Sequence, residues 1–326
     1  MTRHISKKGK SKVDKKSSRD GFGKALCELG RLREDVVVVD ADVATSTRTE
    51  GFRRAFNKRF FNVGIAEQEA VLVASGMALC GELPFVSSFA AFLTTRAYEQ
   101  IRTCVAMPNL NVKLVGTHGG ITVGEDGVTH QMTEDIALMR SLPNMKVFVA
   151  SDFHSAAVLT LLLGEIQGPA YLRVGREPTP EIYKEDDKDF HPGAAKLLRP
   201  GDGVTICACG IMVHEALKAA AILGRQGINA EVLDCYCIKP LAVQQILASI
   251  RRTGCCVVAE EHNVIGGLGE AVARVISEEY PVPIRLVGVA DRYGQSGTAR
   301  ELQEYYGLTY REIVGASAQV WALRRR

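Results

Sequence analysis

The sequence predicts an α/β protein made of two consecutive open, mostly parallel sheet domains. Three observations carry that expectation. Apolar runs such as Val36-Val37-Val38-Val39, Val147-Phe148-Val149 and Val204-Thr205-Ile206-Cys207 are nearly continuous, the pattern of strands covered on both faces. They alternate with helical patterns, as βαβ units do. Between Gly175 and Pro192 prolines and acids replace large apolar residues, so the alternation stops and then restarts. With 326 residues, 46% of them apolar, each half can bury a core. The expected organisation is a basic tail over residues 1–18, a first α/β domain over 19–176, an exposed linker over 177–192 and a second α/β domain over 193–326.

The first nineteen residues hold eight lysines and arginines against one aspartate, a local charge of +7 in a chain whose net charge is +3. The remainder is therefore slightly acidic. The tail has almost no large apolar residues and is expected to be disordered; no nucleic-acid partner is expected for the protein as a whole. No signal-peptide apolar region follows the basic residues, and no run approaches the roughly 18 apolar residues of a membrane span. The nine cysteines include C-x-C pairs at Cys207/Cys209 and Cys235/Cys237 and the adjacent Cys255-Cys256, which is neither a disulfide framework nor zinc spacing. They read as reduced, mostly buried thiols of a cytoplasmic protein.

Structure is expected to begin with a helix over 23–33, with Leu26, Leu29 and Leu32 on one stripe, followed by the strand 36–39. That strand ends in Asp40-Ala41-Asp42, and polar residues at such a carboxyl end lie on the ligand side of an open α/β sheet. Helices over 51–57, 94–106, 133–140 and 155–163 alternate with strands at 112–115, 147–149 and 169–174. In the second half, strands at 204–207, 230–233, 255–259 and 284–287 alternate with helices over 212–223, 241–249, 269–279 and 298–305.

The stretch from Phe61 to Gln131 is the one the rest is organised around. It reads as a short strand delivering Glu67-Gln68-Glu69 to the mouth of an apolar helix, where free amides and the helix dipole stabilise carboxylates. It closes with Gly116 to Gln131, sixteen residues rich in glycine that include His118, Glu125, Asp126 and His130. Such material is poor core and suits close approach to a ligand. Between them the run Phe85 to Leu93 offers an aromatic wall for an organic cofactor. No metal site is expected, because the two histidines lie twelve residues apart without further ligands. Ser87-Ser88 lacks the context of a hydrolase nucleophile, and no dinucleotide-binding glycine motif follows a strand. Gly201-Asp202-Gly203 with Asn229 mimics a diphosphate and metal motif, but it precedes its strand and reads as a tight turn.

The segments Phe61 to Gln68, Ser88-Phe89 with Arg96-Ala97-Tyr98-Glu99-Gln100, Thr117-His118 and Gly124 to Gln131 resemble the pyrimidine-binding domain of transketolases. Glu260 to Gly269 and Asp291 to Gly297 resemble the C-terminal domain of the same family. The likeness covers nearly all of the chain after Arg19. It implies thiamine diphosphate as cofactor, with Glu67 hydrogen-bonded to N1′ of the aminopyrimidine ring and Phe89 and Phe92 against that ring. An apolar pocket around Glu67 is expected to favour its protonated form. The likeness further implies active-site contacts from Asp42, sugar contacts from His118 and Asp126, and His130 beside the substrate and reactive carbon. Ser46, Arg19 and Arg173 are matched to contacts with the sugar phosphate, and His262 to a capping or interface role.

The family's diphosphate-binding domain is missing. The resemblance therefore implies the second subunit of a split transketolase, sharing its cofactor with a partner chain that binds Mg2+ or Ca2+, in an α2β2 complex. The expected reaction moves a two-carbon ketol unit from a ketose phosphate to an aldose phosphate. Two departures stand out: Thr95 replaces the tyrosine of full-length transketolases, and Glu69 has no counterpart in them. Arg96 to Gln100 is similar as well to deoxyxylulose-phosphate synthases and to the β subunits of 2-oxo acid dehydrogenases, so those activities stay open as alternatives. A non-catalytic regulatory subunit of the same fold is a third.

Overall fold

The computed structural model describes residues 15–324, and the tail expected over residues 1–18 lies outside them except for its last four residues. The strands run in chain order as β1 (Lys16–Ser17), β2 (Val36–Asp40), β3 (Phe60–Asn62), β4 (Leu83–Phe89), β5 (Lys113–Thr117), β6 (Lys146–Val149), β7 (Ala170–Arg173), β8 (Pro178–Thr179), β9 (Lys196–Arg199), β10 (Val204–Ala208), β11 (Ala230–Asp234), β12 (Cys237–Lys239), β13 (Cys256–Asn263) and β14 (Ile284–Val289). They form a seven-stranded sheet in the order β12-β6-β7-β5-β4-β2-β3, a five-stranded sheet in the order β14-β13-β10-β11-β9, and a two-stranded ribbon of β1 and β8. All pairs within the two larger sheets are parallel except β12 with β6 and β9 with β11.

Two consecutive α/β domains are therefore present, as the strand composition implies. The seam between them is mostly exposed, as expected of a linker, but it is tied down at Thr179, Tyr183 and Phe190. Pro178–Thr179 pairs with Lys16–Ser17. The Asp152 carboxylate accepts from the amides of Ile182 (2.6 Å) and Tyr183 (2.9 Å), and the Tyr183 hydroxyl donates to Asp234 at 2.7 Å. Phe190 is buried against Tyr183 and Tyr236, with ring centroids 5.1 and 4.6 Å away. The aromatic residues hidden among the prolines and acids anchor this segment. β12 comes from the second half of the chain and completes the first sheet. One buried cluster joins Ile136, Leu142 and Val147 to Cys207, Cys235, Ile246 and Leu268, so apolar packing is continuous across the junction.

The first helix also starts earlier than its leucine stripe suggests, at Ser18–Leu32. Ser17 and Asp20 form a reciprocal cap, the Ser17 side chain accepting from the Asp20 amide and Asp20 accepting from the Ser17 amide. Residues 16–19, assigned to the tail or its edge from composition, are thus ordered. The helix expected over 94–106 is instead two π-helical turns, Phe92–Arg96 and Ile101–Ala106, around a short α turn at Tyr98–Gln100. Thr94 and Thr95 each donate a hydroxyl to the carbonyl four residues back, at 2.8 and 2.5 Å, a contact that competes with regular helical geometry. The Gly201-Asp202-Gly203 segment is a turn: the amides of Asp202 and Gly203 donate to the Asn229 carbonyl. A final helix, Tyr310–Ala322, packs beside Met212–Arg225.

The first sheet reverses its order at β2, since β3 pairs on one side of it and β4 on the other. Ligands of open α/β sheets bind outside the carboxyl ends of strands at such a reversal. The organising stretch delivers its polar residues to that edge.

Candidate active site

Glu67 is the first residue of the helix Glu67–Leu79 and is 1% exposed. The Ser88 hydroxyl, near the end of β4, donates to its Oε1 at 3.1 Å, and Arg96 donates from Nη1 to its Oε2 at 2.6 Å. The hydrogen-bonding partners of the carboxylate are thus a hydroxyl and a guanidinium. Arg96 is a residue whose place in the site the sequence reading missed. Glu69 is exposed on the same helix.

Aromatic rings make the wall. Phe89, the last residue of β4, stacks on Phe92 with centroids 5.4 Å apart and on the His118 imidazole at 3.8 Å. His130 meets Phe92 edge-on at 5.2 Å and Phe89 at 6.1 Å. Thr95, the departure from an aromatic residue, turns its hydroxyl back to the Ala91 carbonyl, and the Arg96 guanidinium lies 5.1 Å over the Phe92 ring.

His118 follows β5 in the left-handed region, with φ +57°, and is 2% exposed. Its Nε2 faces Arg19 Nη1 at 3.2 Å, and its Nδ1 faces the Thr117 hydroxyl at 2.8 Å. A guanidinium only donates, so Nε2 accepts and Nδ1 carries the proton. Burial, with Arg19 and Arg176 nearby, lowers the His118 pKa to about 3. The ring is therefore a neutral acceptor throughout the physiological range.

Arg19 also donates to the Ser46 carbonyl at 3.0 Å, which fixes the loop after β2. Burial lowers its pKa, and the neighbouring Arg48 adds to that. Asp42, at φ +64°, is exposed and accepts from Asn62 Nδ2 at 2.8 Å. Its loop is held from beneath by the buried Asp40, which takes the Val43 amide and the Thr47 and Thr49 hydroxyls. Asp126 is exposed and pairs with Arg176 at 3.0 Å.

The structure thus gathers Glu67, Phe89, Phe92, His118, His130, Arg19 and Ser46 into one connected cluster, with Asp42 and Asp126 on neighbouring loops. Arg173 is placed differently. It is 4% exposed, lies 3.1 Å from Asp135, and donates from Nη2 to the carbonyls of Met132 and Glu261 at 3.1 and 2.9 Å. Its Nη2 group thereby braces the two domains. Arg48 and Arg176, both near enough to His118 to depress its pKa, stand at the rim with Arg19. Arg173 is the last residue of β7, whereas Arg176 lies in the bend beyond it, so the two diverge although both follow the same apolar run. The cue available in the sequence was Gly175 between them. His262 is buried and accepts the Ala137 amide at 3.3 Å, capping the helix Asp135–Ser141 from the second domain. Among the described residues no group of three or more His, Cys, Asp or Glu is placed to hold a metal ion, and no helix is long and apolar enough to cross a membrane.

Residues 14–181 match the family model of the transketolase pyrimidine-binding domain, and residues 193–313 that of the transketolase C-terminal domain. The chain is 41% identical over 312 residues to the 6-deoxy-6-sulfo-D-fructose transketolase subunit SqwH of Clostridium sp., covering 95% of this chain and 96% of that one. It is 37% identical over 290 residues to an apulose-4-phosphate transketolase subunit of Phocaeicola vulgatus, covering 89% and 93%. A solved structure described as a split gene transketolase, inactive β4 tetramer, superposes with a TM-score of 0.88 at 46% identity, covering 96% of this chain and all of that one.

Proposed function

The chain belongs to the transketolase family, and on that premise we propose that it is the pyrimidine-binding subunit of a two-chain, thiamine-diphosphate-dependent ketol transferase. The observation that carries this reading is the buried Glu67 carboxylate at a helix start, set against the Phe89/Phe92 wall. A planar heteroaromatic ring needs an apolar face and a hydrogen-bonding group at its edge, so these residues fit the pyrimidine end of the cofactor. Glu67 would hold the ring nitrogen, with Phe89 and Phe92 against the ring. When bound, the cofactor supplies the carbon nucleophile and the electron sink for cleaving the bond next to a ketose carbonyl.

This chain's own part is to orient and to manage protons. Glu67 holds or releases a proton at the ring nitrogen. His118, neutral with its proton on Nδ1, offers Nε2 as an acceptor for a sugar hydroxyl once Arg19 shares it. His130 and Asp126 present further polar groups on the loop after β5, and Asp42 and Ser46 edge the site from the loop after β2. Arg19, Arg48 and Arg176 give the rim a positive character suited to a terminal tetrahedral anion, through the planar fork that guanidinium provides. The two named relatives are transketolase subunits for a sulfonated and a phosphorylated sugar, which agrees with an anionic end on the substrate.

In this reading the diphosphate and its Mg2+ or Ca2+ are held by a separate partner chain in an α2β2 assembly located in the cytoplasm. The donor is a ketose phosphate, with xylulose 5-phosphate the default, and the acceptor an aldose phosphate such as ribose 5-phosphate. The inactive β4 tetramer of the relative supports a chain that turns over only with its partner. Assays of the isolated and mixed chains, with a screen of donors that includes pyruvate and unphosphorylated ketoses, test the proposal. Turnover only by the mixture, with phosphorylated or sulfonated ketoses preferred, is the expected result. Full turnover by this chain alone overturns the two-chain reading, and preference for pyruvate replaces it with a deoxyxylulose-type or oxo-acid activity.

A further inference from the structure

Arg96 occupies both surfaces that a pyrimidine ring would use. Its Nη1 sits 2.6 Å from Glu67 Oε2, while Ser88 engages Oε1, so each carboxylate oxygen already has a protein donor. Its guanidinium also lies 5.1 Å over the Phe92 ring, which Phe89 stacks on and His130 meets edge-on. With Glu67 only 1% exposed, a ring nitrogen has no second approach to the carboxylate. Arg96, by contrast, has a solvent side to move into: its side chain is 45% exposed, and it rests on Glu67 and the Phe92 face. The π-helical turn Phe92–Arg96 sets this arrangement, since its wider winding brings Arg96 above Phe92.

We infer that Arg96 is a positioning residue that gates Glu67, holding its carboxylate until the aminopyrimidine of the cofactor displaces the guanidinium from both Glu67 and the Phe92 face. The inference rests on the functional reading above, in which Glu67 receives that ring. Closed and open positions of Arg96 then compete, and the apparent affinity for cofactor is reduced by the fraction of closed gates. Removing the guanidinium should tighten binding and speed association. The cost is a buried carboxylate without its cation, which lowers the stability of the chain.

The test uses the reconstituted two-chain enzyme with thiamine diphosphate and Mg2+. Affinity is read by calorimetry, association by stopped-flow, and proton exchange at cofactor C2 by NMR, for the natural protein, Arg96→Gln, Arg96→Lys and Glu67→Gln. Arg96→Gln should associate roughly five- to twentyfold faster and bind tighter by a similar factor. Arg96→Lys, a compact charge without the planar fork, should fall between. If Arg96→Gln does not fold, Arg96→Lys carries the comparison alone. Rates and affinities equal to the natural protein in the Arg96 variants, or weaker binding in them, overturn the gate provided that Glu67→Gln suppresses exchange. Should Glu67→Gln leave both exchange and affinity unchanged, the placement of the pyrimidine at Glu67 fails, and the gate fails with it.

Discussion

At the carboxyl edge of the first sheet, β2, β3 and β5 end in Asp40, Asn62 and Thr117, and the segments beyond them bring Glu67 and His118 into one cluster around Phe89 at the end of β4, with Asp42 on a neighbouring loop. At the same edge of the second sheet, β11 and β13 end in equally polar residues that are spent inside the protein. Asp234 accepts from Tyr183 and Ser151, Glu260 from the amides of Leu268 and Gly269, and Glu261 from the amide of Thr122. Gln131 donates to the Gln295 carbonyl, so the second domain also grips the end of the Gly116–Gln131 loop. The two edges share a topology and differ in their outlets: one keeps groups available for a ligand, and the other uses them to brace the loops of the first.

The largest effect that sharpens this contrast is expected at Glu67. Glu67→Gln preserves shape, so the melting temperature should stay near that of the natural protein. Reconstituted turnover should fall by about 10²–10⁴-fold, the scale of a lost acid–base group, as measured by steady-state kinetics. Arg173→Ala should do the opposite. Leaving Asp135 buried without its cation should cost about 3–5 kcal/mol in denaturant unfolding, a loss of fold first and activity second. Substrate discrimination that changes without a stability loss would return Arg173 to the ligand side and erase the contrast.

Arg176→Ala comes next. Loss of one charge-assisted contact of about 1.5–3 kcal/mol should raise KM for a phosphorylated donor roughly ten- to hundredfold, with a much smaller change for its unphosphorylated analogue.

The smallest effect concerns Asp234, whose burial raises its pKa from 3.8 to about 7. The folded state holds a proton there that the unfolded state releases, so the stabilising contribution is complete below about pH 4 and is lost as pH rises through about 7. Asp234→Asn should remove that dependence. Melting temperatures at pH 5 and pH 8 check it: the natural protein should lose more across the interval than the variant.

Much of this was legible in the residues themselves. Continuous valine runs marked the parallel strands, and Glu67 at the mouth of an apolar helix, with the glycine-rich loop after β5, located the candidate site. What escaped has physical reasons. Arg173 and Arg176 look alike in sequence, and only the point where β7 ends separates a brace inside the strand from a rim residue in the bend beyond it. Arg96 was hidden because helical periodicity does not anticipate a π turn. Ser17 and Asp20 form a cap that sits inside a basic, serine-rich segment whose composition argued for disorder. Tyr183 and Phe190 are too few to alter the composition of a proline-rich segment, yet they fix it.

The exchange of β12 into the first sheet has a consequence for synthesis of the chain. β6 finds its edge partner only when Cys237 pairs with Phe148, and Lys16 must wait for Thr179. Contacts of such long sequence separation are slow to form, because chain closure comes before any reward in pairing. On a ribosome the amino-terminal ribbon can therefore close as soon as Thr179 has emerged, whereas the β6 edge stays unpaired until Cys237–Lys239 of the second half has followed. An unpaired sheet edge is exposed to wrong partners during that interval, which ends when the next 60 or so residues after β8 have followed.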